Sequence, residues 1–337
     1  MMRAAIVGIG GPALDPAEAA LFRGLPPAGV ILFARNVQDP LQLRRLTDAL
    51  RAALPPGAVV AVDQEGGRVA RLRPPHWLPH PAAGRIGTLH ARDADAGLRA
   101  AWLTGALIGA ECAAGGIGLV CAPVLDLRVP GAHDVVGDRS YGADPGAVAQ
   151  LGRAVAHGLL AAGVQPVAKH APGHGRALVD SHLALPSVPA DQDLADDLQP
   201  FAANADLPWM MTAHLLYPGL DAALPGTLSP VVIEQVIRGQ IGRGRIGFRG
   251  VLVSDDLAMR ALDGTPAALA AQAVAAGCDL ALHCTGVLAD TEAVLDGVPP
   301  ASEAALARMA AGLAQADAAR RPLDLAALAA ERGRLLP

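Results

Sequence analysis

The sequence predicts a closed (β/α)8 barrel, the TIM-type α/β fold, built by a single domain. Three features lead to it. Eight short and almost continuously apolar runs recur along the 337 residues, alanine-rich segments of helical period lie between most of them, and polar residues gather where the runs end. Strands covered by helices on both faces lose the apolar/polar alternation of a half-exposed sheet and become unbroken apolar stretches. Eight such strands, each followed by a helix, fit a closed barrel better than an open doubly wound sheet.

Taken in order, the strand segments are 4–10 (AAIVGIG), 29–35 (GVILFAR), 58–64 (AVVAVDQ), 117–127 (IGLVCAPVLDL), 164–170 (VQPVAKH), 208–214 (PWMMTAH), 250–256 (GVLVSDD) and 278–284 (CDLALHC). Helices are expected over 39–53, 94–114, 145–162, 191–204, 229–241 and 264–276. Residues 301–337 form a C-terminal helical tail packed on the barrel. In such a barrel the active site lies at the C-terminal ends of the strands. Those ends carry Arg35-Asn36, Asp63-Gln64-Glu65, Asp126, Lys169-His170, His214, Asp255-Asp256 and His283. The longest connections, 65–93, 128–144 and 171–190, are the ones able to wall a pocket.

Composition narrows the function. The chain is 52% hydrophobic and 18% charged, enough for a large core and too little charge for extended disorder. Its net charge is −5 with no concentration of Lys or Arg, so the electrostatic footprint of a nucleic-acid binder is missing. A small uncharged or mixed-charge ligand is expected instead. No apolar run approaches the roughly 20 residues needed to span a bilayer, and the first apolar run is too short for a signal segment. A soluble, cytoplasmic protein, monomeric by default, is the expectation. Cys112, Cys121, Cys278 and Cys284 lack CxxC spacing and are expected to be buried free thiols.

The stretch AKHAPGHGRALVDSH, residues 168–182, admits three chemistries. His170, His174 and His182 could surround a zinc ion, but Pro172, Gly173 and Gly175 break the segment, so no helix face aligns the first two. A phosphate loop is weaker still, because PGHG lacks the Walker pattern and the GIGG at 8–11 lacks a third glycine. Acid–base work is the better match. Asp180 and His182 are two residues apart, on one side of an extended segment, so the carboxylate can fix one ring nitrogen and raise the basicity of the other. Asp255, at the end of a buried strand, can supply a nucleophilic carboxylate, and a carboxylate with a separate proton donor is the minimal equipment for retaining glycoside hydrolysis. Because side chains alternate along a strand, only one of Asp255 and Asp256 is expected to face the axis. Asp256 is assigned to capping the following helix.

Together KHAPGHGRALVDSH, VDQEGGRVARLR, GDRSYG and VLVSDDLAM closely resemble glycoside hydrolase family 3, and within it the single-domain bacterial β-N-acetylglucosaminidases. The resemblance covers most of the chain, residues 29–284. It implies that Asp255 is the nucleophile of a covalent glycosyl-enzyme, that His182 is the general acid/base, and that Asp180 is its partner on a mobile loop. It implies further that Asp63, Arg71, Arg139, Lys169 and His170 bind a terminal N-acetylglucosamine. No metal and no cofactor are implied. Multi-domain members of the family are understood to take the acid/base from a second domain, for which 337 residues leave no room, so a barrel loop is expected to supply it.

Ala171 stands where many relatives of this type carry an aromatic residue. Aromatics are only 3% of the chain, which argues against a stacking ladder for a long polysaccharide and for exo action on a chain end. The implied substrates are peptidoglycan fragments, GlcNAc-1,6-anhydro-MurNAc and its peptides, released in cell-wall recycling. A metal-dependent hydrolase using His170, His174 and His182, a β-glucosidase-like member of the family, and a sugar-binding protein without turnover are the alternatives.

Overall fold

The computed structural model describes residues 1–129, 131, 133–177, 179, 184–240, 242 and 244–337. Its centre is a closed barrel of eight parallel strands in sequential order: β1 (Arg3–Gly8), β2 (Pro27–Leu32), β3 (Val59–Val62), β4 (Leu119–Val120), β5 (Gln165–Ala171), β6 (Trp209–Thr212), β7 (Val251–Asp256) and β8 (Leu280–His283). All eight expected strands are present, and β1 pairs with β8 to close the ring. Almost every strand residue is buried, as continuous apolar runs require.

The helices are α1 (Pro16–Gly24), α2 (Pro40–Ala53), α3 (Ala83–His90), α4 (Ala94–Ala114), α5 (Pro145–Ala161), α6 (Ala195–Ala203), α7 (Pro266–Ala275), α8 (Leu288–Gly297), α9 (Glu303–Ala319) and α10 (Leu325–Leu335). Four of them begin with the same device. Asp15-Pro16, Asp39-Pro40, Asp144-Pro145 and Thr265-Pro266 each place an oxygen-bearing N-cap before a proline whose missing N–H costs nothing in the first turn. The segments 94–114 and 39–53 form helices within a residue of expectation.

Several elements differ. Over 229–241 the chain makes only a π-helical turn, Val232–Ile237, in place of the expected α-helix. Its β-branched Val232, Ile233, Val236 and Ile237 are poor α-formers, and all four are buried. Helix α6 starts at Ala195 rather than 191, and it lacks a side-chain cap. The run 117–127 yields a strand of two residues because Pro123 has no N–H to continue a ladder. The chain nonetheless stays extended along β5, with Lys169 N donating to Pro123 O at 3.0 Å and Leu125 N to Lys169 O at 2.7 Å. That continuation delivers Asp126 to the strand ends. In the C-terminal segment, α9 meets α5, β5 and β7, while α10 lies against α4.

Candidate active site

A cavity of about 250 Å³ opens at the C-terminal ends of the strands. Asp63, Arg71, Arg139, Lys169, His170 and Asp255 all line it. These six come from β3, the 65–93 and 128–144 connections, β5 and β7, so the barrel gathers residues that are up to 192 positions apart (255 − 63). Asp180 and His182 lie outside the described residues. Phe33, Met211, Met259, Leu282 and Cys284 add an apolar side, which the sequence reading did not single out.

One wall is a chain of alternating charges. Arg71 Nη2 donates to Asp63 Oδ2 at 3.3 Å, and Lys169 Nζ donates to Asp63 Oδ1 at 2.7 Å. Lys169 also meets Glu65 Oε1 at 2.6 Å, and Glu65 in turn grips Arg139 through two bonds of 2.8 Å. Glu65 does not line the cavity. It is a buried anchor that holds Lys169 and Arg139 at fixed positions, and the bidentate fork adds direction to the pairing. Burial alone would raise its carboxyl, but Lys169 and Arg139 outweigh it and hold Glu65 far below the ordinary carboxylate range. Burial likewise opposes the charge on Lys169, while Asp63 and Glu65 push its ammonium well above the usual lysine value.

The local sequence makes this geometry possible. Gly66 and Gly67 take φ values of 102° and 55°, and a Cβ on Gly66 would lie 2.4 Å from Pro81 O, so only glycine makes this turn. Gln64, fully buried, accepts from Arg71 N at 2.7 Å and Leu72 N at 3.1 Å and donates to Leu72 O at 2.9 Å. Those bonds fold the segment back so that Arg71 returns to Asp63.

The second wall is built on Asp126, which is wholly buried. Its Oδ2 takes His170 Nδ1 at 2.6 Å, and its Oδ1 accepts from His174 N at 2.7 Å and His170 N at 3.3 Å. Despite burial, His170 and His174 hold its carboxyl below the usual range. An ionised acceptor at Nδ1 fixes the His170 ring and leaves Nε2 as the nitrogen for a ligand. His174, weighed above as a zinc ligand, also lines the cavity, and burial pushes it down to about 4, so it is neutral at pH 7. Among the described residues no group of three or more His, Cys, Asp or Glu is placed to hold a metal ion.

Asp255 is the penultimate residue of β7 and lines the cavity. Burial favours its neutral form, yet His170, His214, the Asp256 N–H and Lys169 together bring it down to about 2, so it is an anion throughout the neutral range. Asp256 departs from expectation in two ways. It too lines the cavity, and it caps a turn, accepting from Ala258 N at 3.0 Å and Cys284 N at 3.0 Å; the next helix is capped by Thr265. The irregular β7–β8 register between Val253 and Asp256 breaks the strict alternation that would have turned one of the two aspartates away. Burial shifts the Asp256 carboxyl upward, opposite to its neighbour.

A barrel whose mouth holds an ionised carboxylate facing fixed cations in a monosaccharide-sized cavity defines a barrel enzyme acting on a small polar substrate. Comparison with known proteins makes this specific. Residues 17–311 match the glycosyl hydrolase family 3 N terminal domain. The chain is 40% identical over 313 residues to a β-hexosaminidase of Alkalilimnicola ehrlichii, covering 90% of this chain and 87% of the relative. It is 39% identical over 285 residues to a β-hexosaminidase of Xylella fastidiosa, covering 83% and 82%. Among solved structures, NagZ from Neisseria gonorrhoeae in complex with N-trifluoroacetyl-D-glucosamine superposes with a TM-score of 0.86 at 32% identity, covering 100% of this chain and 98% of that one. The chain belongs to glycosyl hydrolase family 3.

Proposed function

We propose that this β-N-acetylhexosaminidase is a retaining, exo-acting β-N-acetylglucosaminidase whose nucleophile is Asp255. The observation that carries the reading is the half-buried Asp255 carboxylate lining one cavity with Lys169, His170 and Arg139, where the neighbouring cations and the Asp256 N–H favour its ionised form. In the first step an Asp255 oxygen bonds to the anomeric carbon while the glycosidic bond breaks. His182, assigned from the family resemblance and lying outside the described residues, gives its proton to the departing oxygen, with Asp180 orienting its ring. In the second step water attacks the same carbon, His182 takes the water's proton, and Asp255 leaves as the carboxylate.

Asp63, Arg71, Arg139, Lys169 and His170 bind the terminal sugar. Carboxylate and cations offer acceptors and donors for its hydroxyls, and their mutual ion pairs hold them in place before substrate arrives. The Arg71 Nε–H, buried and without a partner among the described residues, is a further donor on that wall.

The implied substrates are peptidoglycan fragments bearing β-linked N-acetylglucosamine, cleaved in cell-wall recycling. We place the enzyme in the cytoplasm as a monomer, a setting in which its four buried free thiols stay reduced. No helix among the described residues is long and apolar enough to cross a membrane.

Aryl β-glycosides that differ only at C2 test the activity. An acetamido substrate should exceed its hydroxyl counterpart in kcat/KM by at least ~100-fold, since a site built around a polar group rejects an analogue without it. Equal or better turnover of the glucoside would move the chain to the β-glucosidase side of the family. Release of N-acetylglucosamine from GlcNAc-anhydro-MurNAc tests the substrate assignment, and full activity in EDTA disposes of the metal-dependent alternative.

A further inference from the structure

We propose that Thr212, Thr227 and His214 form a hydrogen-bonded relay behind β7 that positions the Asp255–Asp256 peptide for reaction. The inference rests on Asp255 as the nucleophile. The three side chains are buried to 0% exposure, and none of them lines the cavity, so they act on the reaction through Asp255 rather than on the substrate.

The strand ladder explains why such a relay is needed. The β6–β7 pairing runs through Trp209↔Val251, Met210↔Leu252 and Met211↔Val253 and then stops, and the β7–β8 register is irregular over Val253–Asp256. The nucleophile therefore lies just beyond the regular sheet. Side chains take over there. Thr212 Oγ1 accepts from Asp255 N at 3.3 Å, Thr212 Oγ1 and Thr227 Oγ1 are 2.8 Å apart, Thr227 Oγ1 and His214 Nδ1 are 2.8 Å apart, and His214 Nε2 is 2.9 Å from Asp256 O.

Donor and acceptor capacities fix the direction at both ends of the relay, and only the Thr227–His214 bond depends on the charge of the ring. The Asp256 carbonyl can only accept, so Nε2 carries a proton. In the neutral ring Nδ1 is then bare and accepts from the Thr227 hydroxyl. With its one proton committed, Thr227 must accept from Thr212, whose oxygen in turn accepts from the Asp255 N–H. If the ring is protonated, Nδ1 donates to Thr227, whose hydroxyl turns to Ala213 O at 3.0 Å, and the Thr212 bond is unchanged. In both charge states the two ends of the relay grip Asp255 N and Asp256 O.

That grip reaches the reacting oxygen. Asp255 Oδ1 accepts from Asp256 N at 2.8 Å, and Ser254 Oγ donates to Asp255 O at 2.8 Å while accepting from Leu282 N. The carboxylate is tied to the peptide group that lies between the two the relay holds. A displacement of about 1 Å at such a group costs on the order of 100-fold in rate.

The test uses paired isosteric and conservative variants. Thr227→Val keeps the shape and loses the hydroxyl; it should lower kcat by ~10–100-fold with KM within about twofold. Thr227→Ser loses only a methyl and should stay within about threefold of wild type. Thr212→Val and Thr212→Ser should repeat that order and serve if Thr227→Val does not fold. The double valine variant should lose little more than the worse single, as members of one unit do. A packing role gives the reverse order, serine impaired and valine at wild-type kcat, and that result overturns the proposal. Asp255→Asn is the control. If it keeps wild-type turnover, the nucleophile assignment itself fails; if it is inactive while Thr227→Val turns over normally, only the relay fails.

Discussion

The two ends of the barrel each carry a cavity, and the larger one is at the end without the proposed catalytic groups. At the N-terminal ends of the strands a space of about 390 Å³ is lined by Val59, Val60, Gly118 and Gln165 below and by Met309 and Leu313 of α9, against about 250 Å³ at the opposite face. Among the described residues no Asp, Glu or His lines the larger space. Its arginines are of another kind: Arg51 is exposed, and it donates to Gly116 O at 2.9 Å without a buried carboxylate to fix it. At the smaller cavity, opposite charges are buried and locked to one another before any ligand binds. Fixed charge, rather than volume, marks the proposed working end.

Four changes sharpen that contrast. The largest effect is expected from Asp255→Asn, which should lower kcat/KM on an aryl N-acetylglucosaminide by at least ~10³-fold while leaving the ground-state binding groups in place. Glu65→Gln comes next. It removes the anchor shared by Lys169 and Arg139, and the cost of leaving buried charge uncompensated is about 3–5 kcal/mol in denaturant unfolding. Its KM should rise more than its kcat falls, because Glu65 holds the proposed binding groups Lys169 and Arg139 and does not line the cavity.

A pH effect is the third. His174 titrates near 4 in the folded protein against about 6.5 unfolded, so between those values the unfolded chain binds the extra proton. Stability from the neutral buried ring is complete above pH 6.5 and is lost as pH falls toward 4. Thermal midpoints over that window should drop less steeply for His174→Gln than for wild type; parallel curves would remove this account of the ring. The smallest effect is expected at the other end of the barrel. Arg51→Ala should leave kcat/KM within about twofold and cost no more than ~0.5 kcal/mol. A tenfold loss of activity would break the comparison between the two faces.

Much of this was legible in the sequence, for identifiable reasons. Parallel strands buried on both faces announce themselves as apolar runs, and their C-terminal ends pointed directly to Asp63, Lys169, His170 and Asp255. Helices α1, α3 and α8 were missed because short helices have few turns in which to show a period, although Asp15-Pro16 carried a start signal for α1. The supporting carboxylates were harder. Glu65 and Asp126 were visible as strand-end residues, but their partners lie 74 and 104 positions away for Glu65 and 44 for Asp126, separations that only the closed barrel brings to contact. The assignment of Asp256 to a helix cap failed because a register irregularity in β7–β8 is a property of tertiary pairing and leaves no periodic trace.

Asp255 is proposed to form the covalent bond to the sugar. Incubation with an activated 5-fluoro N-acetylglucosaminyl donor, followed by intact mass and peptide mapping, tests it most directly. The account predicts a single adduct of one glycosyl unit on the peptide spanning Val251–Asp256, located at Asp255 and absent in Asp255→Asn. An adduct on any other residue, or rapid turnover through the substrate's own acetamide with no adduct and strong thiazoline inhibition, would contradict it.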